Sequence, residues 1–188
     1  MARKESTFAN MVISLTVICT VCAALLGIVY QFTSEPIAKA DLAKVNSGIR
    51  EVLPAFDNVP SEEMFVIDGC EVYPATLAGE PVGWAVKVAP SGFGGPLNML
   101  VGFTPDGTVY NTAVLSHSET PGLGAKISDP ASAPRAQIAG KNPASSNVSV
   151  RKDGGEIDAI TASTITSRAF LAGIAAAYDI FLKKDGTK

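Results

Sequence analysis

The chain has 188 residues, 15 of them basic and 18 acidic, for a net charge of −3. No basic patch is present to neutralise a phosphate backbone, which sets aside nucleic-acid binding. The length leaves room for one domain beyond an uncharged N-terminal stretch, and 17 glycines with 12 prolines favour turns over long regular helices.

Residues 11–30 read MVISLTVICTVCAALLGIVY, with no charge and no proline. Twenty helical residues span about 30 Å, the thickness of a bilayer core. The expected division is a short N-terminus at 1–9, a transmembrane helix at 10–30, a membrane-proximal helix or linker at 31–60 and a domain at 61–188. Arg3 and Lys4 precede the apolar run, while Glu35 follows closely and Lys39 and Lys44 come later. That weak bias places the N-terminus in the cytoplasm and the domain on the far side of the membrane. A cleaved signal peptide is the competing reading, but the run is long for one, and Ala38-Lys39-Ala40 lies far from its end. Cys19 and Cys22 share one helical face and read as packing thiols. Cys70 is the only cysteine beyond this stretch, so the domain has no partner for an intrachain disulfide.

Residues 35–50 carry a loose apolar stripe of Ile37, Leu42, Val45 and Ile49, with Gly48 weakening the helix end. Met64-Phe65-Val66-Ile67 is a short strand closed by Asp68-Gly69, and Cys70 to Tyr73 continue it as a hairpin. Residues 82–89 alternate as a strand, with Trp84, Val86 and Val88 on one face. The glycine-rich loop at 90–96 lacks the closing Gly-Lys-Ser/Thr of a nucleotide-hydrolase phosphate loop, and no helical pattern follows it. Residues 97–103 and 108–116 read instead as two strands reversed by Thr104-Pro105-Asp106-Gly107. The sum is an α+β fold with an antiparallel sheet.

His117 begins a second loop, His-Ser-Glu-Thr-Pro-Gly-Leu-Gly-Ala-Lys, and as a lone histidine it reads as structural. Its Pro-Gly-Leu-Gly core cannot be helix or strand interior. Glycines two apart let backbone N–H groups approach a ligand, and Leu123 between them offers one apolar contact. Residues 128–144 hold at most a short helix near Arg135 to Ile138. Residues 148–151 form a strand that Lys152-Asp153-Gly154-Gly155 turns into 156–160. The last helix follows, with Phe170, Ile174, Tyr178 and Phe181 as its buried stripe, Lys183 and Lys184 near its end and Gly186 after it.

Thr161, Ser163 and Thr164 crowd the start of that helix. Alone, such residues are an ordinary N-cap. A helix start also offers free N–H groups and partial positive charge to a phosphate.

Asp158 to Ser167 (DAITASTITS) together with Glu119 to Gly124 (ETPGLG) resemble the FMN-binding domain family. Within it the chain is most similar to the G subunits of Rnf-type ion-translocating electron transport complexes, cousins of the C subunits of sodium-pumping NADH:quinone oxidoreductases. Residues 91–98 (SGFGGPLN), the Asp106-Gly107 reversal and the N-terminal helix share the likeness. The family's attachment pattern is Asp-x-x-Ser/Thr-Gly-Ala-Thr-x-Ser/Thr. Asp158 matches its Asp, Thr161 the first hydroxyl residue, Thr164 the acceptor and Thr166 the closing hydroxyl. Ala162 stands for the Gly and Ser163 for the Ala.

The resemblance implies an extracytoplasmic FMN-binding domain with a packed C-terminal helix, and FMN joined through its phosphate to Thr164. Glu119, Thr120, Gly122, Leu123, Gly124, Lys126, Thr161, Ser163, Ile165 and Thr166 would surround the cofactor. A separate flavin transferase would read Asp158, Thr161, Ala162, Ser163, Thr164 and Thr166, since no base lies beside the acceptor in sequence. The implied role is an electron relay among other membrane subunits, in a complex coupling ferredoxin–NAD+ electron transfer to Na+ or H+ movement. The chain itself would hold no catalytic residue, no metal and no NAD. The quinone-reductase homologue and a cofactor-free anchored module are the alternatives.

Overall fold

The structure, a computed structural model, describes residues 7–184. Arg3, Lys4 and Gly186 lie outside them. The chain forms two compact units that divide between Ala43 and Lys44.

Helix α1, Phe8–Val52, opens the chain, with Pro36 inside it. The apolar run and the mildly helical stretch after it are therefore one continuous helix. In the first unit the Ser14, Thr20 and Thr33 hydroxyls donate to carbonyls one turn back, at 2.7, 2.8 and 2.9 Å. These bonds satisfy the polar groups of a segment whose apolar side chains are exposed along its length. The helix is long and apolar enough to cross a membrane, and none of its most apolar window is buried within the chain.

The second unit is built on a sheet of five antiparallel strands in chain order: β1 Phe65–Ile67, β2 Cys70–Leu77, β3 Glu80–Val88, β4 Asn98–Phe103 and β5 Val109–Ser116. The Asp68-Gly69 reversal joins β1 to β2 as the sequence indicates, and Ala78-Gly79 joins β2 to β3. Both central residues of each turn have positive φ, at 49° and 81° and at 54° and 85°. That geometry matches the twist of the flanking strands. Register aligns Val72 with Val86, Val86 with Val101 and Val101 with Thr112, one continuous row across the sheet.

Both faces of the sheet are covered, so β4 is buried from Met99 to Phe103. On one face lies helix α3, Thr164–Lys183, which sets Phe170, Ile174, Ala177 and Phe181 on Val86, Val88, Met99, Val101 and Phe103. Trp84 meets Phe181 edge-on at 5.8 Å. The expected stripe is thus the core contact. On the other face Val45, Ile49, Val52 and Leu53 pack on Tyr73, Ala75, Ala85, Leu100 and Ala113. Gly48 weakens no helix end; it lies inside α1, tight against Leu100 and Leu115.

Two further expectations are corrected. Residues 148–160 form no hairpin: only Val150 and Ile157 pair, in a single parallel bridge, and Arg151–Asp153 wind into a 3-10 turn. Both bridge residues are buried, so core burial rather than strand pairing placed those β-branched side chains. Gly124, expected in irregular loop, opens a 3-10 helix, Gly124–Ser128. The short helix near Arg135 is α2, Ala133–Ile138.

Candidate functional site

The bend before α3 is fastened by one side chain. The Ser167 hydroxyl donates to Ser163 O at 3.0 Å and accepts the Ile160 N–H at 3.0 Å. Ser163 occupies the N-cap position but makes no side-chain cap bond. The first helical bond runs from the Ser167 N–H to Ser163 O at 3.0 Å. The N–H groups of Thr164, Ile165 and Thr166 thus lie ahead of the helical ladder, at the positive end of a 20-residue helix. Ala162 forms the bend with φ +61°, a left-handed conformation that suits glycine better.

A cavity of about 370 Å³ opens at this helix start, lined by Phe93, Glu119, Thr120, Leu123, Gly124 and residues 162–166. Phe93, Leu123 and Ile165 are exposed by 67%, 43% and 53%, so three large apolar side chains ring a concave site instead of joining the core. Such a cluster is the expected seat of a ligand with apolar surface. Thr164 is half-buried in its wall, and no hydrogen bond among the described residues engages its hydroxyl.

Glu119 closes the cavity from within and is 6% exposed. Its Oε1 accepts the Phe93 N–H at 2.8 Å and the Gly94 N–H at 3.2 Å, and its Oε2 accepts the Thr166 hydroxyl at 2.6 Å. Its own N–H donates to His117 Nδ1 at 3.2 Å. One carboxylate thereby ties the 90–96 loop to the first turn of α3. The approach needs glycine twice: a Cβ on Gly92 would overlap Glu119 Oε1, and one on Gly124 would lie 2.5 Å from Glu119 Oε2.

Not every residue of the expected set meets this cavity. Gly122 is exposed on the loop and Lys126 on the 3-10 helix that follows it, both outside the cavity wall. Thr161 lines instead a second cavity of about 320 Å³ with Arg151, Lys152, Asp158, Ala159 and Ile160. Ala162 and Thr164 border both. Asp158 accepts the Gln137 amide at 2.7 Å and Arg151 Nε at 2.5 Å, and its N–H donates to Gln137 Oε1 at 2.7 Å. Those two donors hold its carboxyl below the ordinary range, the Gln137 amide first and the Arg151 guanidinium second.

Two residues were absent from the expected set. Phe93 sits in a glycine-rich loop, where an aromatic side chain follows no periodicity; its signals were an apolar residue between glycines and the family likeness of residues 91–98. Arg135 is 4% exposed and ties the end of the 3-10 helix to β5 and α1. It donates to Ser128 O at 2.7 Å, to Glu51 Oε1 at 2.9 Å and to Thr112 O. Glu51 and Thr112 lie far away in sequence, so no motif announces it.

An apolar-rimmed cavity at a helix start, with a free threonine hydroxyl in its wall, defines a class: residues 92–179 match the FMN-binding domain family. The fold agrees with that of the C subunit of the sodium-translocating NADH-quinone reductase from Parabacteroides distasonis, with a TM-score of 0.50 at 22% identity over 78% of this chain and 84% of that one. The chain is 36% identical over 169 residues to the G subunit of the ion-translocating oxidoreductase complex of Vibrio atlanticus (strain LGP32), covering 81% of each. It is 33% identical over 172 residues to the matching protein of Stutzerimonas stutzeri, also a G subunit of that complex, covering 86% of this chain and 75% of that one. The chain belongs to this family of G subunits.

Proposed function

We propose that the chain carries FMN esterified through its phosphate to Thr164 and relays electrons as one subunit of an ion-translocating oxidoreductase complex. The observation that carries this reading is the free Thr164 hydroxyl in the wall of a cavity rimmed by Phe93, Leu123 and Ile165. A phosphodiester there keeps one negative charge. The unpaired N–H groups of the first turn of α3 would orient it. Phe93, Leu123 and Ile165 would cover the apolar ring, and Glu119 would keep Phe93 and α3 in place. Bound FMN supplies one- and two-electron transfer, which suits a relay.

A covalent tether keeps the carrier with its protein between donor and acceptor. Similarity to the G subunits favours a complex coupling ferredoxin–NAD+ electron transfer to Na+ or H+ movement, over the quinone reductase. The chain would act only within that complex, anchored by residues 10–30 with its N-terminus in the cytoplasm and residues 61–188 on the other side. Among the proposed recognition residues for a flavin transferase, Asp158 is engaged by Gln137 and Arg151. It would therefore act by fixing the chain at residue 158 to α2 and the Arg151 turn, just ahead of the bend that presents Thr164.

The test is peptide mapping of the full chain purified from its own host. The fragment containing Thr164 should carry the mass of FMN less water, and Thr164→Val should abolish it. An unmodified native fragment would falsify the attachment.

A further inference from the structure

We propose that Glu119 sets the reduction potential of the bound flavin through its charge, in addition to holding the cavity wall. This rests on the FMN reading above. All three hydrogen bonds at the Glu119 side chain are donated to it, by Phe93 N–H, Gly94 N–H and the Thr166 hydroxyl. That pattern suits an ionised carboxylate, which only accepts. No lysine or arginine pairs with it among the described residues.

Pinning the loop does not require the charge. A glutamine could accept both N–H groups on its amide oxygen and donate its amide nitrogen to Thr166 Oγ1, with no charge to desolvate. What glutamate adds is a negative charge in the wall of a partly enclosed cavity, where electrostatic effects exceed those in water.

The consequence follows from charge balance. A flavin ring that takes up two electrons and one proton gains one negative charge, and a second proton cancels it. Glu119 repels the charged product, so it lowers the midpoint potential and favours the reduced form with both protons. It acts through space as a tuning group.

The experiment compares native, Glu119→Gln and Glu119→Asp full-length chains in detergent. Flavin content is measured first, followed by spectrophotometric titration with dithionite and redox mediators at neutral pH. The expected result is a midpoint shifted to more positive potential in the Gln chain and a near-native one in the Asp chain, at equal flavin content. An unchanged midpoint in a fully loaded Gln chain overturns the inference. So does a Gln chain that folds but holds no flavin, because the carboxylate then builds the site instead of tuning it. Where the Gln chain fails to fold, a near-native midpoint in the Asp chain supports the inference and a shifted one overturns it. Native protein without flavin would sink the FMN reading itself, a separate outcome visible before any titration.

Discussion

Replacing Gly124 by alanine tests whether Glu119 holds the cavity together. The new Cβ would stand 2.5 Å from Glu119 Oε2, 2.7 Å from Thr166 Oγ1 and 3.0 Å from Glu119 Cβ. Thr166 is fixed on α3 and 1% exposed, and the Glu119 carboxylate is held on its other side by Phe93 and Gly94. Relief therefore requires Glu119 to swing away from Thr166. Overpacking a tight site costs about 1–3 kcal/mol. Losing a hydrogen bond to a charged group costs about 1.5–3 kcal/mol. Moving the carboxylate trades one cost for the other, so the two do not add, and the net is about 2–3 kcal/mol. For a domain of this size that lowers the melting temperature by about 4–12 °C. Near-UV circular dichroism of the full chain in detergent reads the melt, and bound flavin reports the site. Gly122→Ala is the control: its φ is +76°, but nothing lies within 4 Å of the added methyl. Only backbone strain applies there, about 1–2 kcal/mol, offset in part by about 0.4–1 kcal/mol from the stiffer unfolded chain. A Gly124→Ala chain that melts no lower than the Gly122→Ala chain refutes the reasoning.

Ala162→Gly should stabilise the fold, because φ of +61° costs alanine about 1–2 kcal/mol while glycine's extra freedom in the unfolded chain returns about 0.4–1 kcal/mol. The net gain of about 0.5–1 kcal/mol appears as a melting temperature about 1–4 °C higher; a lower one would rule out the left-handed bend. Asp158 governs part of the acid limb. Its folded pKa lies below the unfolded one, so its contribution is present above the ordinary carboxylate value of about 3.9 and fades as pH falls through the folded value. Melting curves of native and Asp158→Asn chains should therefore differ at neutral pH and converge in acid, and a constant gap across that range would show that the Gln137 and Arg151 contacts are not electrostatic.

Local signals made much of the fold legible. The Asp68-Gly69 and Asp106-Gly107 reversals marked their hairpins because few residues tolerate such backbone angles. The spacing of Phe170, Ile174, Tyr178 and Phe181 marked α3 because burial on one side imposes a helical period. Val148 and Val150 misled for a related reason: β-branched residues suit strands, yet here the core takes Val150 and Ile157 without extending a ladder. The α3 end of the site was readable as a dense cluster of hydroxyl residues. What Glu119 does was not, because its partners Phe93 and Thr166 stand 26 and 47 residues away. Long-range partners of a buried polar group leave no periodicity behind. Phe93 and Arg135 were hidden likewise, one by glycines and the other in a stretch with no repeat.

The double hydrogen bond of Ser167 gives residues 160–163 their shape before any cofactor arrives. On the proposed attachment, an enzyme that esterified Thr164 would meet a preformed knuckle, not a supple tail. Folding would then come first in the order of maturation, and a short synthetic peptide with the same letters, lacking the rest of α3 and the sheet beneath it, would be a poor mimic of the proposed acceptor.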